Sequence, residues 1–218
     1  MSTDNPKEKQ RVPLLKHEIT DHAVVDLFEL IASQKWQRLK VFIFLHKSIV
    51  KTCSRGDCFP LHYVCKFHPP LGIVKCLWSA YPKAVFRRDS KGRHVLHIAC
   101  KYRCSLEVID FLLKEYPEAA RKPDVKRCTP FLLLFKSSSS IWENDLLQSN
   151  EPRKTKEMRT IVMKLVRAAP FSTIMQDYTG MTALEYAIDK ETDMSTIKLV
   201  QELTCEIQSK SRRHVLAL

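Results

Sequence analysis

The feature that most constrains this chain is a self-similarity at a spacing of 35 residues. Leu61-His62-Tyr63-Val64-Cys65-Lys66 aligns at that offset with Leu96-His97-Ile98-Ala99-Cys100-Lys101, as do Tyr81-Pro82 with Tyr116-Pro117 and Asp89 with Asp124. Pro130-Phe131 falls on Val95-Leu96. Beyond this point the offset grows to 53: Pro117 meets Pro170, and Asp124 meets Asp177. The 18 residues 137–154 account for the whole change; without them Val108, Ile109 and Leu112 fall on Ile161, Val162 and Leu165. A last copy starts at Asp177, with Leu184 and Ala187 in the places of Leu96 and Ala99. Upstream, at an offset of 34, Leu27 pairs with Leu61 in a weaker first copy, as expected of a terminal cap. A period of this length marks repeated units that bury their apolar faces only by stacking on one another.

Each copy reads as two helices. In the best one, Leu96, Ala99 and Cys100 form a stripe at helical spacing, and Leu106, Ile109 and Leu113 form a second. Small residues at 99 and 100 let a neighbouring helix approach closely. Ser105 is the expected N-cap of the second helix, and Glu107 suits the positive end of its dipole. Pro117 ends that helix, because proline cannot continue it. Pro70 suits the start of the equivalent helix one copy earlier. The polar stretch "RRDSKGRHV" joins copies, with Gly92 available for a positive φ. The expected fold class is all-α. The expected organisation is a polar N-terminal tail over 1–22, a repeat domain over 23–205 and a basic C-terminal tail over 206–218. Copies are expected over 23–53, 54–88, 89–123, 124–176 and 177–205.

The pattern Asp89-Ser-Lys-Gly92-Arg-His-Val-Leu96-His97-Ile-Ala99 resembles the ankyrin repeat, whose motif runs Asp-x-x-Gly-x-Thr-Pro-Leu-His-x-Ala. So do Ser54 to His62, Asp124 to Phe131 with Thr129-Pro130, and Asp177 to Ala187 with Gly180 and Thr182. The resemblance covers about residues 23 to 205. It implies a solenoid of stacked helix-turn-helix units joined by finger loops, at 54–58, 87–94, 121–128 and 176–181. It also implies a non-catalytic, monomeric scaffold that binds other proteins through its fingers and first helices. Two departures stand out: a period about two residues longer than usual, and Leu134-Phe135 in place of the small pair in the copy over 124–176.

Charge points to the kind of partner. The 36 Lys+Arg against 24 Asp+Glu give +12, which favours nucleic acid, an anionic surface or an acidic protein. Two fingers are strongly basic: "RRDSKGR" (87–93) and "RKPDVKR" (121–127). Arg87, Arg88, Lys91, Arg93, Arg121, Lys122, Lys126 and Arg127 are therefore the candidate partner-binding residues. The expected partner is an acidic protein segment; the alternatives are nucleic acid or another polyanion on the same patch, and plain solvated turn charge.

No other chemistry is expected. The four glycines are too dispersed for a phosphate loop, and no catalytic or cofactor signature occurs. His94, His97, Cys100 and Cys104 have ligand-like types, but His97 and Cys100 recur at His62 and Cys65, so they read as repeat positions: turn hydrogen bonds and small core residues. Cysteines without a Cys-x-x-Cys pair, no apolar run long enough to span a membrane and no signal-like N-terminus imply a cytoplasmic or nuclear chain. Trp36 and Trp78 read as core. The insertion carries Trp142 and Leu146-Leu147, either a docking motif or a loop packed on its own repeat.

Overall fold

The computed structural model describes residues 15–52, 57–137 and 152–215, with side chains for 22–52, 57–137 and 155–213. The insertion's Trp142 and Leu146-Leu147, and Ser54 of the first finger, lie outside them. The described residues form helices in pairs. The pairs are α1 (Leu15–Ala32) with α2 (Trp36–Leu45), α3 (Pro60–Val64) with α4 (Leu71–Ala80), and α5 (Val95–Lys101) with α6 (Leu106–Glu115). They continue as α7 (Pro130–Lys136) with α8 (Pro152–Ala168), and α9 (Ala183–Asp189) with α10 (Met194–Val215). First helices pack on first helices, α1 on α3, α3 on α5, α5 on α7 and α7 on α9. Second helices pack on second helices, from α2 on α4 through to α8 on α10.

The repeat is written into the backbone as well as the sequence. Every positive-φ residue among the described ones falls on one of two repeat positions. Asp57, Gly92, Arg127 and Gly180 take φ of 52°, 72°, 61° and 82° at the finger turn. Gln34, His68, Arg103 and Glu191 take 53°, 48°, 49° and 48° just after the first helix. A left-handed residue there stops a helix and turns the chain back. Only two of the eight are glycine, so six side chains accept roughly 1–2 kcal/mol of steric cost apiece. Such a cost persists only where surrounding packing fixes the turn.

The second helices end alike. Tyr81, Tyr116 and Ala169 leave helical geometry at φ −148°, −151° and −145°, and a proline opens a short 3-10 turn after each. Proline lacks the N–H that an α-helix would need there, but its ring suits the first position of a new turn. The helix starts differ from expectation. The Ser105 side chain caps nothing. Instead the Leu106 N–H donates to Glu157 Oε1 at 2.8 Å, so a carboxylate from α8 caps α6 across the stack.

One core runs the length of the stack, from Leu27 and Ile31 to Ala187 and Val200. Leu61, Leu96 and Phe131, equivalent by repeat, are all buried. Leu134 and Phe135 in α7 are also fully buried, and the Phe131 and Phe135 rings meet edge-on at 5.5 Å. Trp36 and Trp78 pack against the core partly buried, Trp78 edge-on to Phe111 at 5.6 Å. The ends are more helical than their composition suggests. Helix α1 begins at Leu15, inside the stretch read as a tail, and α10 continues through 206–215. The Lys210–Glu206 pair at 2.6 Å joins adjacent turns of that extension.

Candidate functional site

Three fingers share one atomic plan. Asp89 Oδ1 accepts the backbone N–H groups of Lys91 and Arg93, both at 2.9 Å. Asp124 Oδ1 accepts those of Lys126 and Cys128, both at 2.8 Å. Asp177 Oδ1 accepts those of Thr179 at 2.8 Å and Met181 at 3.2 Å. A side chain that satisfies two turn amides competes well with any extended alternative. The fingers are then tied in series. Val125 N–H donates to the Lys91 carbonyl at 3.1 Å, and Tyr178 N–H donates to the Lys126 carbonyl at 3.2 Å. Gly92 matters at the first of these ties: a Cβ there would lie 3.2 Å from Val125 N and 3.1 Å from its Cγ1.

Two of the three carboxylates also hold a cation. Arg93 forks onto Asp89 Oδ2 through Nε at 2.9 Å and Nη2 at 2.6 Å. Lys136, from α7, pairs with Asp177 Oδ2, which also accepts the Tyr186 hydroxyl at 2.9 Å. Burial alone would push both carboxyls up. Arg93 and the turn amides outweigh it at Asp89, and Lys136, Thr179 and Tyr186 outweigh it at Asp177, so both sit below the usual carboxylate range.

These bonds sort the eight basic residues. Arg93 is spent on Asp89. Arg88 Nε–H donates to His94 Nε2 at 3.3 Å, and Arg121 Nε–H donates to the Ala168 carbonyl at 3.2 Å. Lys122 bonds the Tyr116 hydroxyl and lies over its ring at 5.1 Å. Arg87, Lys91, Lys126 and Arg127 are exposed. Lys126 lies 5.5 Å from the centre of the Tyr178 ring, in cation–π range. The ties between fingers bring Lys91 and Lys126 into neighbouring positions.

Two further lysines lie outside the finger stretches, Lys66 just after α3 and Lys101 at the end of α5. The signal for them is in the alignment, since they occupy one repeat position. Lys101 is half-buried, and its pKa is lowered first by burial and then by the charges of Arg93, Lys91, Lys66 and Lys126. No carboxylate among the described residues pairs with Lys66, Lys91, Lys101 or Lys126.

His94 and His97 tie the start of α5 to the backbone of neighbouring fingers. The His94 N–H donates to His97 Nδ1 at 3.1 Å, so the proton of His97 sits on Nε2 and is donated to the Lys122 carbonyl at 2.8 Å. His94 Nδ1–H donates to the Arg87 carbonyl at 3.2 Å, leaving Nε2 to accept from Arg88. His62 differs from the expected turn bonding: neither ring nitrogen has a hydrogen-bond partner. Burial pushes His62 and His94 down to about 4 and His97 to about 3, so all three are neutral at pH 7. The cysteines pack. Cys104 Sγ–H donates to the Cys65 carbonyl at 3.1 Å, and the buried Cys65 and Cys100 thiols are pushed up. Among the described residues, no three His, Cys, Asp or Glu side chains gather as a metal site.

A separate pocket of about 220 Å³ opens beside Cys104, Leu134, Met158 and Ile161. It is mainly apolar, and the Glu157 carboxylate at its rim is the one that caps α6. No helix among the described residues is long and apolar enough to cross a membrane. No protein-family model matches the chain, and no curated protein matches it.

Proposed function

We propose that the chain is an ankyrin-repeat scaffold without catalytic activity that docks an acidic segment of another protein on its basic fingers. The observation that carries this reading is the shared finger plan. Asp89, Asp124 and Asp177 lock equivalent turns, and inter-finger bonds stack them into one continuous rim. A rigid rim costs little ordering entropy on binding, which suits a surface kept for recognition. The left-handed turns at 92, 127 and 180 and the helix-on-helix packing support the solenoid reading. The exposed Arg87, Lys91, Lys126 and Arg127 supply its charge.

The test is a pull-down from nuclease-treated lysate with the wild-type chain and with Arg87, Lys91, Lys126 and Arg127 changed to Glu. Proteins captured by the first and lost by the second, still bound at about 150 mM salt, are the expected result. Capture that requires intact nucleic acid would instead make the rim a polyanion site.

A further inference from the structure

Resting on that reading, the geometry points to a narrower site. We infer that an acid-rich extended peptide is held by four lysines, Lys66, Lys91, Lys101 and Lys126, on the inner side of the two central fingers, rather than by the finger arginines.

The four lysines form two repeat-related pairs. Lys101 is the last residue of α5, Lys66 holds the same repeat position in the 3-10 turn just after α3, and α3 packs on α5. Lys91 and Lys126 stand at the same place in adjacent fingers, and their carbonyls carry the two inter-finger bonds. Repetition therefore lays them out as a two-by-two array. Four finger cations have found an acceptor inside the protein: Arg93 on Asp89, Arg88 on His94, Arg121 on the Ala168 carbonyl and Lys122 on the Tyr116 hydroxyl. Among the described residues the four lysines of the array have no such acceptor. One copy later the lysine at the same repeat position as Lys101, Lys136, is neutralised by Asp177. Among the described residues Lys66 and Lys101 have no such carboxylate, so at this repeat position the charge is uncompensated in the two central copies. Half-burying Lys101 among cations of its own sign opposes folding. An anion laid across the array removes that repulsion, and this is where the affinity originates.

The chemistry of the occupant follows from two details. Lysine ammoniums are point charges without a fork, so they donate to anionic groups at varied spacing and demand no fixed bidentate geometry. Bases of a single strand would need open aromatic faces to stack on. The aromatic rings here already face lysines: Tyr63 under Lys66 at 4.8 Å, Tyr102 under Lys101 at 5.4 Å, Tyr178 under Lys126 at 5.5 Å. Carboxylate side chains on an extended chain fit this surface better than nucleotides do.

Fluorescence anisotropy with a labelled oligoglutamate peptide and a labelled single-stranded oligonucleotide of equal charge tests this. The full chain is compared with Lys101→Gln/Lys126→Gln and with Arg88→Gln/Arg121→Gln, two cations already bonded inside the protein, each variant being two charges lighter. At about 150 mM salt the lysine pair is expected to weaken peptide binding about tenfold or more and the arginine pair about twofold or less. Thermal melts check folding, and the lysine pair is expected to melt no lower than wild type, because it relieves repulsion. Equal losses from both pairs would reduce the effect to net charge and overturn the array. Tighter binding of the oligonucleotide would overturn the peptide as occupant. No peptide binding by the wild-type chain would instead overturn the docking reading itself.

Discussion

His62 and His97 occupy the same place in adjacent copies, and both are fully buried, yet they live in different hydrogen-bond worlds. His97 joins the start of its own helix to the next finger through Lys122. His62 faces the equivalent carbonyl, that of Arg87, without completing a bond to it. The reason lies one copy ahead. The Arg87 carbonyl is taken by His94 Nδ1–H. The next copy has Thr129 in the place of His94, and Thr129 caps its own helix by accepting Leu132 N–H at 3.2 Å, so the Lys122 carbonyl is left for His97. We expect competition for that one carbonyl, set by a single substitution at a repeat position, to account for the difference between the two imidazoles. An identical residue at an identical burial is no guide to its energetic role.

The largest expected effect, acid unfolding, is one the two histidines share. His62, His94 and His97 have folded pKa values lowered from 6.5 to about 4, 4 and 3. Lowered values mean the unfolded chain takes up protons first. The stability these groups contribute is complete above pH 6.5 and is lost as pH falls toward about 4. Each histidine adds up to about 1.4 kcal/mol per pH unit within that window. Asp89 and Asp177, also lowered, add their losses only near and below the ordinary carboxylate value of 3.8. We expect the chain to unfold in mild acid, with a shallower slope in His62→Leu. A pH series of urea melts reads this directly; a flat profile between pH 6.5 and 4.5 would show that the imidazoles are not protected from protons.

At neutral pH the pair should split. His97→Leu leaves the His94 N–H and the Lys122 carbonyl without partners, an expected loss of roughly 2–4 kcal/mol. His62→Leu removes two unpaired ring nitrogens and keeps apolar volume, so the change should be within about 1 kcal/mol of zero and can be favourable. Urea midpoints of the two variants, compared at unchanged slope, measure the difference. Equal losses would mean that burial and shape, rather than bonding, set the value of this position.

The glycines allow the same contrast at the finger turn. Gly92 and Gly180 share a positive φ, but a methyl group at 92 meets Val125 backbone while at 180 it meets nothing within 4 Å. Gly180→Ala should cost about 1 kcal/mol, the conformational term alone. Gly92→Ala should cost about 1 kcal/mol more, because it strains the tie from Val125 to Lys91. Arg127, already non-glycine at this position with φ 61°, shows that the side chain itself is tolerated. If the two glycine variants melt together, the inter-finger tie carries no strain.

The period, the insertion and the ends of the second helices were legible because each rests on residues that recur. Tyr-Pro at 81 and 116 and proline at 170 stop helices for local reasons that sequence displays. Glu157 as the cap of α6 was not legible, since a residue 51 positions away does the work expected of Ser105. The left-handed turns at His68, Arg103 and Glu191 carry no common residue type; only their alignment marks them. The basic patch was visible as a count of charges. Which charges are already bonded inside the protein was not, because Asp89, His94 and Tyr116 meet their cations only in the folded turn, and Ala168 meets Arg121 only once the copies are stacked. The lysine array shows the converse: Lys66 and Lys101 lie outside the finger stretches and join them only in three dimensions.

The smallest prediction goes to the origin of the contrast. His94→Thr installs at the start of α5 the cap that Thr129 provides to α7 one copy later, and it frees the Arg87 carbonyl. His62 can then donate to that carbonyl as His97 does to Lys122. The variant loses the Arg88–His94 bond and the edge contact between His94 and Tyr116 at 5.3 Å, so gains and losses should nearly cancel, within about 1 kcal/mol. The informative readout is therefore not stability but the proton signals of His62. A new hydrogen bond slows exchange of its ring N–H and shifts that resonance downfield in the NMR spectrum of the variant. If the His62 ring is unchanged when His94 is gone, competition for one carbonyl is not what isolates it, and the difference between the copies must instead be sought in the approach of the first finger, whose turn at Asp57 replaces the glycine of the second.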